Sequence, residues 1–185
     1  MGLFSLEHDR LAYDADFVLY GAAVLALAGA LATICPPAQR PEALAIVLAG
    51  LAVWTLVEYG LHRFVLHGVQ PFERWHAEHH SRPAALIGLP TVGSAALFAG
   101  LVFLPAWLAG SPWLACALTL GMLLGYLGYA FTHHATHHVL ARHGWLARRK
   151  RWHALHHHHV EQPVCFGVTS AFWDRVFGTD KVHRS

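Results

Sequence analysis

Histidines fall into four short boxes along this chain: His62-Arg63-Phe64-Val65-Leu66-His67, His76-Ala77-Glu78-His79-His80, His133-His134-Ala135-Thr136-His137-His138 and His153-Ala154-Leu155-His156-His157-His158-His159. In a helix, residues three and four apart share a face, so HxxHH turns three imidazoles towards one point and HxxxH turns two. His62 and His67 are five apart, about 140° around an α-helix. They need a helix end, a local bulge or separate metals to act together. Imidazoles packed this closely repel when protonated, and neutral imidazole is the commonest metal ligand. Ten such ligands exceed what one four- to six-coordinate ion can use, so the pattern predicts two metal ions. The boxes contain no cysteine, which argues against finger-type structural zinc. All-nitrogen ligation suits iron, zinc, copper or nickel. In the third box 133/137 and 134/138 are equally spaced, and spacing alone does not choose between them. Outside the boxes, His8, His143 and His183 read as ordinary surface or satisfied polar residues.

The elements that must position these boxes are apolar. Of 185 residues, 55% are hydrophobic and 13% charged, against about 25% charged in soluble domains. This balance argues against a soluble globule and excludes a disordered chain. A net charge of +2 gives no nucleic-acid partner. The three cysteines have no metal or haem spacing, and Cys35 and Cys116 read as small buried hydrophobes. Four stretches, 17–34, 43–66, 86–108 and 112–131, approach the roughly 20 apolar residues that cross a bilayer. The first follows an acidic opening rather than a signal peptide's basic one, and it stops at Cys35-Pro36-Pro37. The third is interrupted by Gly88, Pro90, Gly93 and Pro105, which neighbouring helices tolerate in a membrane. Only Ala109-Gly110-Ser111 joins it to the fourth.

With four crossings, twelve of the thirteen Lys and Arg lie on one side and only Arg40 lies on the other. The positive-inside rule places that basic side, with both termini and the histidine boxes, in the cytoplasm. The second span reaches about 36 Å at 1.5 Å per residue, more than a hydrocarbon core of about 30 Å. Its last turns, with Glu58, His62 and His67, therefore emerge at the cytoplasmic face, and the fourth span continues likewise through His133 to His138. The expected fold is all-α and integral to the membrane, one domain over 1–185. It has four transmembrane helices and a helical cytoplasmic cap from 67–85 and 132–185.

The run from Glu58-Tyr59 through His62 and His67, then HAEHH, GYLGYAFTHHATHH and WHALHH with Phe166-Gly167-Val168-Thr169-Ser170 and Phe172-Trp173-Asp174, resembles the fatty acid hydroxylase superfamily. Its members are histidine-rich di-iron oxygenases of membranes and include fatty acid 2-hydroxylases, sterol desaturases and carotenoid hydroxylases. Carried onto this sequence, the family's ligands fall on His62 and His67, then on His76, His79 and His80. The family's Gly-Tyr and Tyr before the third box, read from Gly125, Tyr126 and Tyr129, select His133 and His137. The last box gives His153, His156 and His157. Glu58, Tyr129, His134, His138, His158 and Asp174 remain as candidates to support the ligand rings, and His159 as incidental. For Glu58 the competing account is a carboxylate reaching to interfacial water; for Asp174 it is a turn or cap residue.

The resemblance implies an O2-dependent, non-haem di-iron monooxygenase that hydroxylates a lipid acyl chain, of the fatty acid or sphingoid and ceramide type. Two Fe ions are the implied cofactor, O2 the co-substrate, and zinc can replace iron in recombinant material. The chain departs from the lipid hydroxylases in a shorter gap between the first two boxes and in the lack of a cytochrome b5-type domain. Its length leaves no room for a reductase, so a separate cytochrome b5-like or ferredoxin-type protein is expected to supply electrons. The expected location is the bacterial inner membrane. The alternatives are a carotenoid or sterol hydroxylase or desaturase of the same superfamily, and a non-catalytic metal-binding or transport protein. Transporters place ionisable ligands near the bilayer midplane, whereas these gather at one face.

Overall fold

Asp9 starts the first helix by accepting the Ala12 amide at 2.8 Å, satisfying one of the orphan donors of a helix N-terminus. Helix α1 runs Arg10–Thr33, beginning earlier than the apolar run because the capped polar turn joins it. A 3-10 turn, Pro37–Gln39, leads into α2, Arg40–Gly60. The computed structural model describes residues 7–159 and 161–181, so His183 lies outside the described residues. The remaining helices are α3 (Phe72–Ser81), α4 (Thr91–Leu97), α5 (Leu104–Ala109), α6 (Pro112–His138), α7 (Gly144–His158) and α8 (Phe172–Phe177). Among the described residues the sole β feature is an isolated bridge between Glu7 and Ile87.

Four helical stretches are long and apolar enough to cross a membrane: Arg10–Thr33, Pro37–Leu66, Thr91–Ala109 and Pro112–His138. Only 11% of the apolar window is buried in the first and third of these. Leu11, Val18, Leu25, Leu101 and Leu108 stand exposed there. So much uncovered apolar surface requires lipid around it, and the chain is a multi-pass membrane protein.

The third stretch corrects the sequence expectation at its start. Residues 86–90 are not helical: the Leu86 carbonyl accepts the His8 amide at 2.9 Å, and the His8 ring meets the Gly88 carbonyl at 3.2 Å. The helix begins after Pro90, which fixes an extended backbone there. Its middle, Phe98–Phe103, is a π turn that ends two residues before Pro105. Proline has no amide to give residue 101, and the wider turn absorbs that missing bond.

The described chain divides into two compact units, residues 1–54 with 86–127, and residues 55–85 with 128–185. In the first, Leu31, Cys35, Ala43, Ala117 and Leu120 form a buried cluster. There α2 and α6 touch backbone to backbone: a Cβ on Gly121 would lie 2.2 Å from the Val47 carbonyl oxygen. Small residues at such crossings are how membrane helices gain contact. The second unit holds every histidine of the four boxes. It comprises the end of α2, α3, the end of α6, α7, α8 and the segment between the last two.

Candidate metal centre

The first box depends on a change of helix type. After Gly60, α2 passes into a π turn, Leu61–Leu66, whose i→i+5 bonding brings residues five apart onto one side. The His62 and His67 ring centroids are consequently 5.4 Å apart. The second box lies on α3, the third at the end of α6 and the fourth along α7. On each of these the ordinary three- and four-residue spacing suffices.

Two sets of imidazoles converge. In one, single ring nitrogens of His62, His67, His76, His80 and His156 all lie within 4.8 Å of one another; in the other, those of His79, His133, His137 and His153 do. The Nε2 atoms of His62 and His76 are 3.0 Å apart, and those of His67 and His156 are 3.1 Å apart. In the second set, Nε2 of His133 is 3.1 Å from that of His79, and Nε2 of His153 is 2.8 Å from that of His137. Lone pairs facing one another at such distances repel unless a proton or cation lies between them. The donor chemistry therefore fits a transition metal in each set. His157 belongs to neither set by distance, but its Nε2 is 3.1 Å from that of His153. Its ring also stacks on His80 with centroids 4.2 Å apart.

Burial keeps these rings neutral, as ligands must be. It lowers His67 to about 4, assisted by the nearby His157. Burial and then His137 take His79 to about 2, while burial and then His157 take His80 to about 3. His76, His153, His156 and His157 are lowered as well, burial again coming first. A cavity of about 360 Å³ borders both sets, lined by His80, Pro83, Thr136, His137, Lys150, His153, Ala154, His157 and His158.

Ring orientation in the first set comes from main chain. The Nδ1–H of His62 donates to the Phe166 carbonyl at 2.5 Å, and that of His156 to the Val164 carbonyl at 2.7 Å. A carbonyl can only accept, so both rings carry the proton on Nδ1 and present the Nε2 lone pair inwards. Glu58 is 5% exposed, so it does not reach out to water. It accepts the Val168 amide at 2.8 Å, the Thr169 amide at 2.9 Å and the Thr169 hydroxyl at 2.6 Å. Asp174, fully buried on α8, accepts the Phe166 and Gly167 amides, each at 2.8 Å. It also takes the Trp152 indole N–H at 3.2 Å and the Thr179 hydroxyl at 2.8 Å. Both acids thus act on the segment Val164–Thr169, and that segment acts on the rings.

The other supporting candidates separate by position. Tyr129 stacks on His133, with centroids 5.7 Å apart and planes 14° from parallel. His134 and His138 stack on each other, 4.5 Å apart, and are in neither convergent set. His158 borders the cavity. Sequence reasoning did not find Val164 and Phe166, because their contribution is a carbonyl, which every residue possesses. The folded backbone does mark the segment: Cys165, between the two, is left-handed at φ 59°, a conformation rare for non-glycine residues and concentrated at functional sites.

The family model for fatty acid hydroxylases matches residues 47–179. A dihydroceramide fatty acyl 2-hydroxylase of Arabidopsis thaliana is 34% identical over 154 residues, covering 75% of this chain and 62% of the relative. A ceramide very long chain fatty acid hydroxylase of Schizosaccharomyces pombe is 36% identical over 153 residues, covering 75% and 43%. The solved structure of full-length scs7p, in which only the hydroxylase domain is visible, superposes with a TM-score of 0.77 at 28% identity. That superposition covers 91% of this chain and 66% of the other. The chain spans about half the length of the curated relatives it matches, 62% of one and 43% of the other.

Proposed function

The chain belongs to the fatty acid hydroxylase family, and from that premise we propose that it is an O2-dependent hydroxylase of a lipid acyl chain, of the fatty acid or ceramide type. The supporting observation is the pair of convergent histidine sets inside the matched region. His62, His67, His76, His80 and His156 would hold one iron ion, and His79, His133, His137 and His153 would hold the second. His157 stands between the sets and completes the ten-histidine ligand group. When bound, two iron ions would supply O2 activation, the chemistry by which one oxygen atom would enter a C–H bond and the other would leave as water, with an electron pair and protons from a donor.

The protein's own part in this reaction is physical. Burial of the rings favours the neutral imidazole at pH 7. The carbonyls of Val164 and Phe166 fix the tautomer of His156 and His62, leaving Nε2 free to ligate. The cavity bordered by His80, His137 and His153 gives a small reactant access to imidazoles of both sets. A separate cytochrome b5-like or ferredoxin-type protein delivers the electrons. We assign the histidine boxes and both termini to the cytoplasmic side of a bacterial inner membrane, an orientation that the excess of Lys and Arg on that side supports.

Metal analysis of the purified full chain is expected to find two transition-metal ions, iron when expressed with ample iron. Lipid profiling of an expressing host, against His62→Ala as control, is expected to show acyl chains that have gained one oxygen atom only with the native sequence. A lipid profile identical to the control's sinks the hydroxylase reading. Oxygen appearing in carotenoids or sterols instead moves the substrate class.

A further inference from the structure

The two histidine sets differ in what lies behind their rings. In the five-histidine set, His62 and His156 are each held at Nδ1 by a carbonyl of one segment, Val164–Thr169. That segment is itself fastened on two sides. Glu58 takes two amides and a hydroxyl at its far end, and Asp174 takes the amides of Phe166 and Gly167. Gly167 admits no alternative packing: a Cβ there would lie 1.9 Å from the Ser170 carbonyl oxygen and 2.8 Å from an Asp174 carboxylate oxygen. In the four-histidine set, by contrast, the buried Nδ1 atoms of His79 and His153 have no hydrogen-bond partner among the described residues. His80, in the first set, shares that condition, so the contrast rests on His62 and His156.

An acceptor behind a ligating imidazole fixes its tautomer and raises its basicity, and loss of such an acceptor typically weakens metal binding about ten- to a hundred-fold. Two rings of one set have this support, and two rings of the other lack it. We infer that Glu58 and Asp174 are positioning residues for one metal only, and that the two metal sites are unequal. The His62/His67/His76/His80/His156 site retains its ion, and the His79/His133/His137/His153 site releases its ion first. This rests on the two-metal reading above.

The experiment uses the full chain in detergent, loaded with Co²⁺ so that the visible bands report each site. A chelator is then added and the bands are followed in time. The wild-type protein is expected to bind two cobalt ions and to lose them in two phases at least ten-fold apart in rate. His79→Ala is expected to remove the fast phase and keep the slow one. Glu58→Gln should speed the slow phase about ten-fold and leave the fast phase unchanged. Thr169→Val, which removes one donor to Glu58, should act in the same direction more weakly, with Thr169→Ser restoring the slow phase. If Glu58→Gln does not fold, the Thr169 pair carries the comparison. Two ions leaving at one rate, His79→Ala abolishing the slow phase, or the Glu58 and Thr169 variants speeding both phases alike would each overturn the inequality. Fewer than two cobalt ions in the wild-type chain overturns the two-metal reading, and the inequality with it.

Discussion

At the scale of single residues, the third box separates pairs that spacing could not. His133 and His137 meet His79 and His153, while His134 and His138 stack on one another. His133→Ala is expected to lower metal content sharply and His134→Ala to leave it near the native value, as read by metal analysis; equal losses contradict the assignment. Asp174 contributes differently, through four donors that all end on one buried carboxylate. Asp174→Ala leaves the Phe166 and Gly167 amides without their acceptor, at a cost of about 1–3 kcal/mol for each. A fall in the thermal midpoint should accompany the loss of metal. Cys165 gives a check on the same segment. Burial, with Asp174 and Asp180 close by, pushes its thiol up to about 12. Because the thiolate is the reactive form, Cys165 should resist alkylation in the native protein and react after denaturation.

At the scale of elements, the π turn Leu61–Leu66 is the most consequential local feature. Its extra residue turns an awkward five-residue spacing into a convergent pair. Inserting one alanine after Phe64, an exposed member of that turn, should rotate His67 by about 100° relative to His62. The expected result is loss of metal from the five-histidine set, whereas Phe64→Ala, which keeps the residue count, should retain it. The sequence displayed the spacing problem and left a helix end, a local bulge and separate metals open as its solutions, because a π turn has no strong side-chain signature. The α2–α6 crossing was likewise hidden within apolar runs. Only the approach of the Val47 carbonyl to Gly121 shows why that position carries no side chain. Gly121→Leu should destabilise the protein by about 1–3 kcal/mol through overpacking, measured as a lower unfolding temperature in detergent.

At the scale of the whole molecule, many buried neutral imidazoles tie the stability of the metal-free protein to pH. His67 is lowered to about 4, His80 to about 3 and His79 to about 2, whereas an unfolded imidazole titrates at about 6.5. Between those values the unfolded chain binds more protons than the folded one, so stability rises with pH across the interval. The contribution is present above about 6.5 and is lost as pH falls through 4 towards 2. The thermal midpoint of metal-stripped protein should therefore drop steadily from pH 7 to pH 5; a flat profile would contradict the burial of these rings.

Four apolar spans and four histidine boxes were determined by the sequence itself, because both are local: a span needs only length and hydropathy, and a box only helical spacing. The break at 86–90 lay beyond that reading, since the Leu86 and Gly88 carbonyls find their partners in His8, far away along the chain. Sorting nine histidines into sets of five and four was decided by tertiary structure, which alone brings α3, α6 and α7 around the π turn. So were the hydrogen-bond partners of Glu58 and Asp174. Among the described residues neither acid is hydrogen-bonded to a histidine of either set; each fastens a stretch of main chain whose carbonyls are. Backbone groups are common to every residue, and only the folded chain says which of them faces a histidine.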